Sequence, residues 1–172
     1  MNGILPQAVR VDPKFKYEVA SMPGGEYIKF CFQCGECVAI CPIRRFTDEF
    51  KPLRLIRMAV LGLKELVLPS REIWLCAACY SCTEKCPQGV RPTDVIRAIR
   101  YVAARNGYIH PFYRDQSKTI AEYGRIYKSE EPVNKVRERV GLPPLPPVDL
   151  EEVRKLMDGT GIKNILEDAE NE

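Results

Sequence analysis

Two matching cysteine frames decide what this chain can fold into. One runs Cys31-x2-Cys34-x2-Cys37-x3-Cys41-Pro42 and the other Cys76-x2-Cys79-x2-Cys82-x3-Cys86-Pro87; together they use all eight cysteines of the 172 residues. Thiolates two residues apart can wrap one loop around three corners of a cube. The x3 step and its proline then turn the chain away, so the fourth thiolate points to a neighbouring cube. This is the run that holds [4Fe–4S] clusters, and its fourth cysteine ligates the other cluster. The expected sets are Cys31, Cys34, Cys37 and Cys86 for cluster 1, and Cys76, Cys79, Cys82 and Cys41 for cluster 2. Pro42 and Pro87 lack an N–H and hold φ, which ends each loop. Gly35 lets the backbone approach closely, and loop N–H groups can donate to cluster sulfurs.

Other uses of eight cysteines fit less well. Zinc sites use paired C-x2-C units and do not call for a third cysteine at the same step followed by x3-C-P. Secreted disulfide scaffolds share the even count, but Met1–Arg10 lacks the apolar run of a signal peptide. A reducing, cytoplasmic setting is expected. No membrane span is expected either: a span needs about 20 apolar residues, and the most apolar stretch, Met58–Leu68, is broken by Lys64 and Glu65.

The net charge of +3 is unevenly spread. A basic surplus surrounds the motifs, at Arg44, Arg45, Arg54, Arg57, Lys85 and Arg91. It reads as compensation for eight bound thiolates, whose charge must be counted together with that of the metal. No nucleic-acid motif accompanies it, so no nucleic-acid partner is expected.

The expected fold is all-α. Alternating Val/Ile/Thr runs with tight turns, the mark of strands, are missing. The 34 residues between Cys41 and Cys76 are too many for a small βαββαβ ferredoxin. A helix is expected near Lys51–Leu66, with Pro52 in its first turn and Leu53, Ile56, Val60, Leu63 and Val67 at helical spacing. A second opens at Pro92, buries Val95, Ile96, Ile99, Val102 and Ala103, and stops at Asn106-Gly107. Trp74, Leu75, Phe30, Phe32, Ile40 and Ile43 flank cysteines, and form either a dry wall for the clusters or ordinary core. An α-helical ferredoxin domain over 31–107 is expected, with an N-terminal arm over 1–30 and a C-terminal partner-docking arm over 108–172.

In the N-terminal arm, Asp12-Pro13 opens a short helix to about Ser21. The C-terminal arm reads as a helix over 111–127 with Ile120, Tyr123, Ile126 and Tyr127 on one face, then a helix over 132–140. The stiff Gly141-Leu-Pro-Pro-Leu-Pro-Pro147 run follows, and a last helix spans 149–157. No catalytic residue is expected. All eight thiols are committed to metal, and the single histidine, His110, reads as a surface or packing residue.

The stretch Ile73-Trp-Leu-Cys-Ala-Ala-Cys-Tyr-Ser-Cys-Thr-Glu-Lys-Cys-Pro87, followed by Pro92-Thr-Asp-Val-Ile-Arg-Ala-Ile-Arg100, resembles the C subunit of heterodisulfide reductase. The upstream Cys31-Phe-Gln-Cys-Gly-Glu-Cys-Val-Ala-Ile-Cys-Pro42 is similar too, and the resemblance spans about residues 25–110. It implies an α-helical ferredoxin with two [4Fe–4S] clusters on the eight cysteines. It also implies an electron-relay role between an A-type subunit, which bears flavin and clusters, and a catalytic B-type subunit, which works on the disulfide. The related complex of sulfur-oxidising microbes is a second home for such a protein, beside methanogenesis. The alternative function is the iron–sulfur subunit of another dehydrogenase, quinone-linked or acting on an organic acid.

Overall fold

The computed structural model describes residues 10–128 and 131–162. Most of Met1–Arg10 and the last ten residues of the 108–172 stretch lie outside the described residues. Among those described there is no strand. The chain divides into two compact units, residues 1–108 and 109–172.

The first unit holds α1 (Phe15–Ala20), α2 (Glu36–Ala39), α3 (Pro42–Phe46), α4 (Pro52–Val60), α5 (Lys64–Val67), α6 (Ser81–Lys85) and α7 (Pro92–Arg105), with single 3-10 turns at Ile28–Phe30 and Arg71–Leu75. Prolines open α3, α4 and α7, where a missing N–H costs nothing. The spine is α7, whose Val95, Ile96, Ile99, Val102 and Ala103 are buried as the periodicity predicts. It packs against α4, and α1 packs against both. Phe15, Val19 and Ile28 are fully buried in the same core as Leu55, Ile56 and Ile99. The described part of the first 30 residues is thus built into the core.

The helix expected over Lys51–Leu66 is two helices. Its break falls at Gly62, whose φ is +80°. There the incoming chain docks: Asp12 N–H donates to Gly62 O at 2.8 Å. A Cβ on Gly62 would stand 2.3 Å from Asp12 O. The glycine therefore serves both the turn and the close approach. Lys64, just beyond, pairs with Glu18 of α1 at 2.7 Å. The buried side of α4 is Leu55, Ile56 and Ala59, while Leu53 and Val60 are only half-buried.

Glu72 is the principal buried acid of this unit, 5% exposed. Its carboxylate accepts the Lys51 N–H at 2.8 Å and the Arg54 guanidinium, so it fastens the start of α4 to the turn that precedes the second cysteine frame.

The second unit holds α8 (Pro111–Tyr123), α9 (Glu131–Arg139) and α10 (Leu150–Thr160). His110 caps α8, its Nδ1 accepting from Phe112 N–H at 3.3 Å. The helix expected to reach Tyr127 ends sooner, because Gly124 turns left-handed at φ +66°. Ile126 and Tyr127 lie beyond it, exposed. Asp149 caps α10 by accepting from the N–H groups of Glu151 and Glu152. That helix runs past Gly159 to stop at Gly161, φ +70°, and packs on α8. No described residue of this unit is buried.

Candidate metal centre

Both cysteine frames adopt one backbone. Cys31 leaves the first 3-10 turn at φ −68°, ψ 109°, and Cys76 leaves the second at φ −64°, ψ 119°. Two residues on, Gln33 and Ala78 are left-handed at φ 66° and 51°. Four residues on, Gly35 and Tyr80 are left-handed at φ 92° and 62° and start α2 and α6. Left-handed backbone at three non-glycine positions costs about 1–3 kcal/mol each. The Gln33 and Ala78 backbone N–H groups are hydrogen-bond partners of the Cys31 and Cys76 sulfurs and act to hold those thiols down, against burial. The repeat is thus geometric as well as sequential.

The eight cysteines, none in a disulfide, are divided between two cavities. Cys31, Cys34, Cys37 and Cys86 line one, and Cys41, Cys76, Cys79 and Cys82 line the other. Each cavity takes three cysteines from one frame and the fourth from the other. Cys37 feels the charge of Cys82, and α2, which carries Cys37, packs on α6, which carries Cys82, so the two cavities are neighbours. Among the described residues no three Cys, His, Asp or Glu side chains close on a single metal ion. The quartets ring a space instead, as a polynuclear group requires. Four thiols around an apolar cavity suit an iron–sulfur cubane.

Most of the apolar wall comes from elsewhere than the residues flanking the cysteines. Leu53 and Ile56 of α4 with Val90 and Pro92 line the first cavity; Phe50 and Pro52 with Thr93 and Ile96 of α7 line the second. Of the six flanking side chains, only Phe32 and Ile43 line a cavity, and Phe30 and Phe32 are more than half exposed. A spacing of 45 residues relates the frames, but one of 40 relates the walls: Phe50 to Val90, Pro52 to Pro92, Leu53 to Thr93, Ile56 to Ile96. Each of α4 and α7 starts at one cavity and ends its first turn at the other.

Burial pushes the Cys31, Cys76 and Cys82 thiols up, and Cys37 up to about 12. Protons there must leave before metal binds. Cys79 is exposed and goes the other way, held down by the Ser81 hydroxyl at 3.6 Å. Cys82 lies 3.3 Å from the Thr93 hydroxyl. Arg100 donates to the carbonyls of Ile73 and Cys76, both at 2.7 Å, and stacks over Trp74. Thr93 and Arg100 lie in the stretch that carries the resemblance, but their sequence positions gave them no role at the site; the packing of α7 on the second frame brings them there.

Residues 27–90 match the 4Fe–4S dicluster domain family. The chain is 32% identical over 162 residues to the C subunit of the H(2):CoB-CoM heterodisulfide,ferredoxin reductase of Methanothermobacter thermautotrophicus, covering 91% of this chain and 86% of that one. It belongs to the heterodisulfide reductase C-subunit family. The iron–sulfur C subunit of the CoB–CoM heterodisulfide reductase of Methanopyrus kandleri is 35% identical over 136 residues, 76% of this chain and 70% of that one. A protein of Archaeoglobus profundus, named as like the heterodisulfide reductase C subunit, is 33% identical over 155 residues, 86% of this chain and 81% of that one.

Members of this family are iron–sulfur electron-transfer subunits of an oxidoreductase acting on disulfides, and this chain carries two [4Fe–4S] clusters in an all-helical fold. Membership of such an enzyme implies further subunits. Among the described residues no helix is long and apolar enough to cross a membrane.

Proposed function

We propose that this chain passes single electrons through cluster 1, held by Cys31, Cys34, Cys37 and Cys86, and cluster 2, held by Cys41, Cys76, Cys79 and Cys82. The exchange runs in the cytoplasm between an A-type subunit, bearing flavin and clusters, and a catalytic B-type subunit, which works on a heterodisulfide. When bound, each cubane takes up and gives back one electron. The chain's own residues hold the two groups side by side. Cys37, Cys41 and Cys82 are buried, Leu53, Ile56, Phe50 and Ile96 keep water off, and the exposed Cys34 and Cys79 face outward, where a partner's redox centre can approach. The carrying observation is the exchanged fourth cysteine in each cavity.

The test is Cys41→Ala in anaerobically purified protein. The native chain should hold about eight iron and eight sulfide. The variant should lose the cluster of Cys76, Cys79 and Cys82 and retain the other by electron paramagnetic resonance. Selective loss of the cluster of Cys31, Cys34 and Cys37 would overturn the pairing.

A further inference from the structure

The two cavities share backbone and a repeated pattern of lining residues, yet three positions break their equivalence. At the second, the hydroxyls of Thr93 and Ser81 stand 3.3 Å from Cys82 Sγ and 3.6 Å from Cys79 Sγ. A cysteine that ligates iron has given up its proton, so in the loaded protein the hydroxyls must be the donors. The 40-residue repeat of the walls puts Leu53 where Thr93 stands, and the 45-residue repeat of the frames puts Glu36 where Ser81 stands. The first cavity therefore has a hydrocarbon and a carboxylate at the places where the second has two hydrogen-bond donors, and both Leu53 and Glu36 line it. The third position is Arg100, whose guanidinium is pinned by the Cys76 and Ile73 carbonyls at 2.7 Å; its counterpart is Val60.

Cubane potentials follow from cluster type, net charge, hydrogen bonds to sulfur and exposure to solvent. Cluster type is common to both sites. Exposure differs at one position: Cys37 and Cys82 are each 8% exposed and each quartet has one exposed member, Cys34 or Cys79, but the fourth cysteine is buried in the second quartet (Cys41, 7%) and half-buried in the first (Cys86). That burial alone disfavours the added charge at the second site; hydrogen bonds and charge both act the other way. Reduction adds a negative charge spread over the cluster and its sulfurs. Hydroxyl donors and a fixed guanidinium stabilise that charge; Glu36 opposes it.

We propose that Thr93, Ser81 and Arg100 make the two clusters unequal, so that the cluster of Cys41, Cys76, Cys79 and Cys82 has the higher potential and the first electron to enter the chain rests there. Thr93 and Ser81 are positioning residues: they touch ligand sulfur, not substrate. The proposal rests on the crossed ligand sets above, and its test separates the two.

The experiment is a dithionite titration of the full chain with both clusters loaded, each midpoint read by electron paramagnetic resonance. The Cys41→Ala variant shows which signal belongs to which cluster. Thr93→Val keeps the side-chain shape and removes the donor. It should cut the preference of the electron for the second cluster about tenfold, a fall of about 59 mV in that midpoint alone. Ser81→Ala should act in the same direction. Leu53→Thr is the reverse experiment: a hydroxyl placed beside Cys37 should raise the first midpoint and leave the second in place. If Thr93→Val loses iron, Ser81→Ala and Leu53→Thr carry the same reading. Equal midpoints in the native chain, or a higher one for the first cluster, overturn the proposal. So do midpoints that stay fixed in the variants or shift equally for both clusters. Selective loss of the Cys31, Cys34 and Cys37 cluster in Cys41→Ala fails the ligand sets instead; the expected loss in that variant with unmoved midpoints in the others fails the tuning alone.

Discussion

Phe15→Ala tests whether the N-terminal helix is structural. Phe15 is fully buried, within the core shared by α4 and α7. Nothing in the sequence ties it to the clusters, because it lies 16 residues before Cys31. Removing a buried Phe ring costs about 3–5 kcal/mol, the lost transfer energy plus the cavity left behind. Such domains have about 5–15 kcal/mol in all. With a guanidinium slope of about 2–6 kcal/mol/M, the midpoint should fall by about 1 M. The assay is anaerobic unfolding followed by the visible absorption of the clusters, since metal binding and folding are coupled. Tyr17→Ala is the control: Tyr17 is on the same helix and 56% exposed, so its substitution should move the midpoint by a small fraction of that. Equal, small shifts for both variants would show that α1 is an appendage and that the packing argument is wrong.

Glu72→Ala should cost about 1–3 kcal/mol by the same assay, because it strands the Lys51 N–H and unpairs Arg54; a loss below about 0.5 kcal/mol would refute the fastening role. On the cluster-free chain at pH 8, iodoacetamide should label Cys79 well before Cys37. A thiol with its pKa at about 12 is only about 1 part in 10,000 thiolate there, by a factor of ten per pH unit, and its labelling should climb as the pH rises toward that value. Equal rates, read by mass spectrometry, would mean that the loops lose their folded surroundings without metal. Deleting residues 142–172 should leave iron content and cluster spectra unchanged while weakening assembly with the other subunits, because Leu156 is 66% exposed on α10. Full-affinity assembly of the truncated chain, or loss of its clusters, would rule out a docking role.

The sequence by itself determined the cofactor and the class of fold. Eight cysteines in two x2-x2-x3-Pro frames leave little other than two cubanes, and the frame is local enough to be legible residue by residue. The helix over Pro92–Arg105 was equally legible, since its apolar face repeats without interruption and proline and glycine mark its ends. What only the tertiary structure decided depends on contacts between distant segments. The split of the Lys51–Leu66 stretch at Gly62 needs the Asp12 backbone to arrive against it, some 50 residues away in sequence. The burial of Phe15 and Val19 needs α4 and α7 already side by side. The cavity walls obey a 40-residue repeat that the 45-residue cysteine repeat conceals, so flanking aromatics such as Phe30 were the natural candidates, and the actual lining, Leu53, Ile56, Phe50 and Ile96, emerges only from how α4 and α7 cross the two sites. Thr93 is the clearest case. In the sequence it is one threonine after a proline; in the fold it is a hydroxyl beside Cys82 in one cavity where a leucine lines the other.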